Sequence, residues 1–321
     1  MTTKNKRTKV PFKIFLVLAA CLLVLLCAAN ASALEYEVTV LGTLGGDNSH
    51  ANAINDAGQV VGDSKTGSGD RHAFLWTQAG GMVDLGTLGG DGSKANGINE
   101  AGQVVGWSRT DSGDGHAFLW SLAGGMVDLG TLPGGDDSEA DAINDAGQVV
   151  GDSRTGSGDV HAFLWSQSGG MVDLGTLGGD DSRAFGVNDA GQVVGWSKTD
   201  SGDLHAFLWT QADGMVDLND YITAKAPAGI ILSNAIAIAN NGWIAANSNL
   251  GAVLLTPIYE MSSATTTKAK VDWDKDKFEI TGEIPYSRFR IVGKNAPKIG
   301  PFLGSVSMIS ATCQIPDPQN T

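Results

Sequence analysis

The chain has 321 residues, 44 of them glycine and nine proline, with 35 acidic side chains against 21 basic ones and a formal net charge of −14. The low proline count excludes a proline-rich disordered chain, and the length allows one or two domains with a sizeable core. The negative balance excludes nucleic acid and anionic membrane as partners.

The first 33 residues read as a secretory signal. Lys4, Lys6, Arg7, Lys9 and Lys13 form a basic region, Ile14 to Ala29 form an apolar run, and Ala31-Ser32-Ala33 supplies small residues for cleavage after Ala33. Two other outcomes stay open: a retained anchor, although about 16 apolar residues is short for a span of roughly 20, and lipidation at Cys21 within Leu18-Ala19-Ala20-Cys21. The expected location is extracellular or cell-surface. Cys21 and Cys27 fall within the signal, so the mature chain keeps only Cys313 and has no internal disulfide.

From Leu34 onward a repeat of about 44 residues dominates. The glycine of LGTL recurs at Gly42, Gly86, Gly130 and Gly175, and that of AGQVVG at Gly58, Gly102, Gly147 and Gly191. HAFLW begins at His72, His116, His161 and His205. Three markers keep one spacing, which is the signature of a repeat architecture. Residues 34–257 hold eight basic and 28 acidic side chains, so the negative charge lies on the repeats.

Each repeat predicts four short strands. In the first, Ala51 to Asn55 runs into the turn Asn55-Asp56-Ala57-Gly58, and Gln59 to Ser64 is the second strand. Thr66 to Asp70 is a loop, His72 to Thr77 the third strand, and Met82 to Leu88 the fourth. Apolar residues fall on both faces, as in Val60-Val61 and Phe74-Leu75, which suits a sheet covered on both sides. The expected fold is all-β: a five-bladed propeller of four-stranded repeats with a short β-rich C-terminal extension. A linear β-solenoid is the alternative. Leu34 to Leu44 matches a fourth strand with no blade before it, and the diverged last repeat, Ala235 to Pro257, has no fourth strand after it. The N-terminal strand is therefore expected to close the ring. Asp63 and Asp152 alternate with Trp107 and Trp196 at one repeat position, so a two-repeat unit was duplicated.

The sequence LGTLGGD…AxxINDAGQVVG…HAFLW resembles the HAF-type extracellular repeat proteins of bacteria, and AIAIANNG followed by LLTP resembles their terminal repeat. The resemblance covers about residues 34–257. It implies export and a repeat architecture, and no established activity. The C-terminus departs from the family's usual surface-sorting signal.

Candidate chemistry follows the repeat. The pairs Asp70/His72, Asp114/His116, Asp159/His161 and Asp203/His205 could hold a metal or act as acid and base, but four pairs distributed over four blades do not converge. They are expected to be structural, each His bonding the loop carboxylate or backbone at the start of a core strand. The GGD turns offer Asp47, Asp91, Asp136 and Asp180 as an acidic rim for weak Ca²⁺ binding; without closely spaced ligands, solvated turns are the simpler expectation. Trp76, Trp120, Trp165 and Trp209 read as inter-blade packing. Trp107 and Trp196 alternate with Asp, which marks partly exposed positions able to stack on a ligand such as a sugar ring.

No nucleophile elbow, P-loop, dinucleotide fingerprint or zinc spacing occurs, and no cofactor is expected. The expected function is non-catalytic: a monomer presenting an acidic propeller surface to a protein or glycan at the cell surface. The alternative is a glycan hydrolase or lyase, which would need carboxylates unique to single blades converging near the ring axis. Residues 258–321, with eight basic and seven acidic side chains, contain a Ser/Thr-rich linker and then a predicted hairpin: a strand from Lys268, a turn over Asp274 to Lys277, and a partner strand over Phe278 to Ile284. Phe289 to Val292 and Gly304 to Ala311 are further candidate strands.

Overall fold

The structure, a computed structural model, describes residues 36–258 and the strands at 268–272, 277–281 and 311–314. The signal sequence and its cleavage site, Cys21, and the expected strand over Phe289 to Val292 lie outside the described residues. So does all but the last residue of Gly304 to Ala311. The chain divides into two compact units, residues 1–40 and 41–321. Among the described residues no helix is long and apolar enough to cross a membrane.

The repeats fold as expected into antiparallel sheets with strands in sequence order. Sheet one comprises β1 (Gly45–Ile54), β2 (Val60–Thr66), β3 (Arg71–Thr77) and β4 (Gly81–Asp84). Sheet two comprises β5 (Gly89–Ile98), β6 (Val104–Thr110), β7 (Gly115–Ser121) and β8 (Gly125–Asp128). Sheet three has β9 (Ser138–Ile143), β10 (Val149–Arg154), β11 (Val160–Ser166) and β12 (Gly170–Asp173). Sheet four has β13 (Gly178–Val187), β14 (Val193–Thr199), β15 (Leu204–Thr210) and β16 (Gly214–Asp217). A 3₁₀ turn over Leu218–Tyr221 leads to sheet five, which has three strands: β17 (Leu232–Ile238), β18 (Ile244–Ser248) and β19 (Gly251–Leu255). In the C-terminal segment, β20 (Lys268–Asp272), β21 (Lys277–Thr281) and β22 (Ala311–Gln314) form a separate three-stranded antiparallel sheet.

Each expected fourth strand is shorter than the MVDLGTL motif. It ends at the Asp, and the LGTL that follows turns the chain into the next sheet, with glycine at positive φ at its centre (Gly86, φ 77). The first strand of each of sheets one to five carries a β-bulge. In sheet two, Gly106 faces Ala95 while Val105 faces Gly97, leaving Asn96 as the extra residue. The bulge presses the first strand onto the second. A Cβ at Gly106 would overlap the Lys94 carbonyl oxygen, so the glycine of QVVG cannot be replaced.

Successive sheets bury a shared core. Val61, Leu75 and Leu85 of sheet one meet Ala95, Val104, Phe118 and Trp120 of sheet two. Equivalent clusters join sheets two and three, three and four, and four and five. Phe74, Phe118, Phe163 and Phe207 are fully buried, as the two-faced apolar pattern requires. Polar ladders run alongside these cores. The Asn55, Asn99 and Asn144 side chains each donate to the main-chain carbonyl of the matching Asn in the next sheet, and Asn188 donates to Ala239 O. Ser93 Oγ accepts from Ala73 N and donates to Gly86 O, so one hydroxyl ties sheet two to two points of sheet one.

Four clusters join five sheets, and the two outer faces differ from the rest. Val104, Val149 and Val193 are fully buried, whereas their counterpart Val60 is only half-buried and Ile54 is 67% exposed. On sheet five, Ile236, Trp243 and Leu254 are exposed. Residues 36–43 form no strand; Leu44 makes a single parallel bridge to Thr66. The expected closing strand over Leu34 to Leu44 is therefore not formed by the described residues 36–43, and among the described residues sheet five has three strands.

Candidate functional site

A cavity of about 610 Å³ lies between sheets one and two, lined by His50, Asp63, Asp70, Arg71, Asp91, Gly92, Ser93, Lys94 and Trp107. His50 and Asp63 are a cross-strand pair of β1 and β2, and Lys94 and Trp107 the matching pair of β5 and β6. The Asp/Trp alternation thus brings one of each to the same opening. Arg71, at the start of β3, pairs with the Asp63 carboxylate, with its guanidinium 3.1 Å from His50 Nδ1 and bonded to Asn48 Oδ1 at 3.3 Å. Asp63 is buried and needs that partner. Trp107 is half-buried, lies beside Gly92 and Gly115, and has the Arg109 guanidinium 5.9 Å from its ring centroid. A Cβ at Gly115 would strike the indole, so this glycine keeps the Trp107 ring in place. An aromatic face edged by two cations and three carboxylates can stack a ring and bond its substituents.

The expected Trp107 site therefore lies in a cavity. Its counterpart Trp196 is half-buried and pairs across the strands with Arg183 and Ala206. Of the four tryptophans expected to pack between blades, Trp120, Trp165 and Trp209 lie in or against the inter-sheet cores, and Trp76, on the outer sheet, joins none of them.

The Asp-x-His motifs resolve differently from the expected pairing. His72, His116 and His161 each place Nδ1 2.8 Å from a carboxylate, that of Asp84, Asp128 and Asp173 on the fourth strand, and His205 lies 2.5 Å from that of Asp217. The loop carboxylates Asp70, Asp114, Asp159 and Asp203 instead accept from Ser68, Ser112, Ser157 and Ser201 two residues earlier. The reason is directional. The loop between β2 and β3 closes on itself with a serine cap, while the histidine on β3 faces the neighbouring strand.

The acidic turns do not gather either. Asp47 is 3.1 Å from Lys65, and this cation holds its carboxyl below the usual range. Asp91 lies 3.4 Å from Arg109 and Asp136 lies 3.9 Å from Arg154, each within its own sheet, and Asp180 is exposed. Among the described residues no three His, Cys, Asp or Glu side chains come together as a metal ion would need.

One group was not read from the sequence as a site. Glu139 and Asp141, on the first strand of sheet three, lie near Asp152 of the same sheet and Arg183 of sheet four. Each is unique to its repeat: the positions of Glu139 are otherwise His50, Lys94 and Arg183, and those of Asp141 are Asn52, Asn96 and Phe185. Asp141 is the bulge residue. In sheets one and two the bulge residues Asn52 and Asn96 donate their amides across to Ala95 O and Ala140 O, at 2.8 and 2.9 Å. An ionised carboxylate has no hydrogen to donate there. Burial, with the Glu139 and Asp152 charges close by, raises Asp141 to about 7. Asp152 is 8% exposed and raised to about 6, chiefly by burial, with Arg183 opposing. Its Oδ1 is enclosed and has no hydrogen-bond partner. The signal in the sequence was the variability of two positions on an otherwise regular strand.

No family model matches the chain, and no curated protein matches it at a significant level. Among solved structures it is similar to TolB from Acinetobacter baumannii, at 11% identity over 71% of this chain with a TM-score of 0.43. The chain spans 62% of the length of that protein. It is also similar to a gluconolactonase from Xanthomonas campestris, at 14% identity over 70% of this chain and 80% of the other, TM-score 0.36. The lectin BP39L from Burkholderia pseudomallei matches at 12% identity over 72% of this chain and 76% of its own, TM-score 0.33.

Proposed function

We propose that the chain is an exported, non-catalytic binding protein of the HAF-repeat type, whose sheets act as blades of a five-bladed propeller that holds a glycan at the cell surface. The observation that carries this reading is the cavity between sheets one and two, where Trp107 meets Asp63, Arg71, Asp91 and Lys94. Stacking of a sugar ring on an indole, with its hydroxyls bonded to charged groups, is the chemistry such a lining supports. The acidic surface favours neutral ligands over polyanions. A glycan array probed with the mature protein tests the reading. Binding should weaken at least tenfold in Trp107→Ala; binding unchanged by that substitution refutes it.

The same proposal closes the ring with the strand over Leu34 to Leu44. Val38-Thr39-Val40-Leu41 aligns with Met82-Val83-Asp84-Leu85, and sheet-one pairings transferred to sheet five set Val40 opposite Val253, Thr39 opposite Leu254 and Val38 opposite Leu255. Tyr36, Val38 and Val40 are each more than 80% exposed, and Leu254 is 57% exposed, so pairing would cover apolar surface on both partners. Deleting residues 34–41 should lower Tm by several degrees, and an unchanged Tm refutes closure.

A second reading, glycan hydrolysis or elimination, is favoured by the two raised carboxyls Asp141 and Asp152 beside Glu139. Release of reducing ends from a polysaccharide by the wild type, abolished in Glu139→Gln, would replace the binding reading.

A further inference from the structure

One position near the start of each sheet sets the junction of sheets one and two apart. Sheets three and four carry Asp137 and Asp181 there, and sheet two carries Gly92. Each aspartate reaches back to the preceding sheet and accepts from the main-chain N–H that opens its third strand. Asp137 Oδ1 accepts from Gly115 N at 3.0 Å, and Asp181 Oδ1 from Val160 N at 3.1 Å. The equivalent amide of sheet one is Arg71 N. The amide two residues further on follows the rule of the other junctions: Ala73 N donates to Ser93 Oγ, as Ala117 N and Ala162 N donate to Ser138 and Ser182. At Arg71 the acceptor that the repeat supplies elsewhere is a carboxylate, and the cavity lined by Arg71 and Gly92 lies where it would stand.

The backbone does not demand this glycine. Gly92 lies outside the positive-φ region, and a Cβ there would meet only the Arg71 carbonyl oxygen at 3.5 Å and a Trp107 ring carbon at 3.9 Å, which are ordinary contacts. Its effect is to leave room beside the Trp107 ring. The charges that line this room are matched apart from one. Asp63 bonds Arg71, Asp70 accepts from Ser68, and Asp91 lies 3.4 Å from Arg109, while Lys94 makes no salt bridge among the described residues. A carboxylate entering here has a main-chain N–H, an ammonium group and a guanidinium as its donors, and charge-assisted bonds of this kind are the strong ones.

We propose that this cavity takes a single ligand carboxylate in the place that Asp137 and Asp181 fill at the later junctions, so that the sugar stacked on Trp107 is a uronic acid. The inference rests on the glycan-binding reading and narrows it to one acidic sugar residue. A polyuronate is disfavoured, because its further charges would meet the acidic surface of the repeats.

Calorimetric titration of the mature protein with a glucuronosyl-glucose disaccharide, against its methyl ester and the neutral glucosyl-glucose disaccharide, tests it. The acid should bind at least tenfold more tightly than either. Gly92→Asp supplies the protein's own carboxylate and should weaken binding of the acid at least tenfold, with Tm at or above that of the wild type. Leu122→Asp adds the same charge at a turn position that is 90% exposed, and should leave binding within twofold. If Gly92→Asp fails to fold, Lys94→Gln should narrow the preference for acid over ester at least fivefold. No binding of the acid, equal binding of acid and ester, or equal losses in Gly92→Asp and Leu122→Asp overturns the proposal. Trp107-dependent binding of neutral sugars without preference for the acid overturns this proposal alone. A preference for the acid that survives Trp107→Ala supports the carboxylate site and refutes the stacking on which the binding reading rests.

Discussion

Replacing Asp141 by Asn restores the residue that the first two repeats carry at the bulge. In the wild type this carboxyl, ordinarily near 3.8, is raised to about 7 by burial and by the Glu139 and Asp152 charges. The folded state then binds a proton more tightly than the unfolded chain, so stability is greatest at low pH and is lost as pH rises from about 3.8 through about 7. At pH 8 the ionisation penalty is about 4 kcal/mol, and at pH 4.5 it is about 1 kcal/mol. An asparagine removes the penalty. Its amide can also donate to sheet four as Asn52 and Asn96 donate to their neighbours, worth about 1 kcal/mol. Part of the penalty is shared with Asp152, so the net gain expected at pH 8 is at least about 2 kcal/mol, a rise in Tm of about 4–8 °C for a domain of this size. Thermal unfolding followed by circular dichroism at both pH values is the assay. A Tm at or below wild type at pH 8, or an equal gain at both pH values, refutes the reasoning.

The reciprocal change, Asn52→Asp, should destabilise the junction of sheets one and two at pH 8 and do little near pH 4, read by the same melts. Phe163→Ala empties a fully buried site between sheets two and three and should cost about 3–5 kcal/mol in urea unfolding. Asn144→Ala removes the donor to Gln148 Oε1 and Asn188 O, leaving buried acceptors unpaired, and should cost about 1–3 kcal/mol in the same assay. Gly106→Ala forces a methyl into the Lys94 carbonyl and should cost more than about 3 kcal/mol; a soluble variant with wild-type Tm would show that the bulge can relax.

The turn chemistry explains why so much of the fold could be read in advance. Asn55 to Gly58 forms its turn with Gly58 at positive φ and Gly58 N bonded to Asn55 O, an arrangement these four residue types encode locally. The same local logic separated the strands and marked Trp107 as half-exposed, although Asp63 and Asp152 at the same repeat position are buried. Local logic failed where a side chain reaches another strand or sheet. Asn55 also donates to Asn99 O, a partner 44 residues away that turn chemistry does not reveal.

By itself, then, the sequence determined the period, the strands and the turns, since each depends on hydrogen bonds and torsions within a few residues. Only the tertiary structure decided the partners. It gave His72 to Asp84 rather than Asp70, Arg71 to Asp63, and it left Asp152 without a donor. It also made Asp141 the extra residue of a bulge whose register depends on the pairing of two strands. These choices rest on which faces meet across sheets, and a charge or a donor acquires its meaning only when the opposite face is in place.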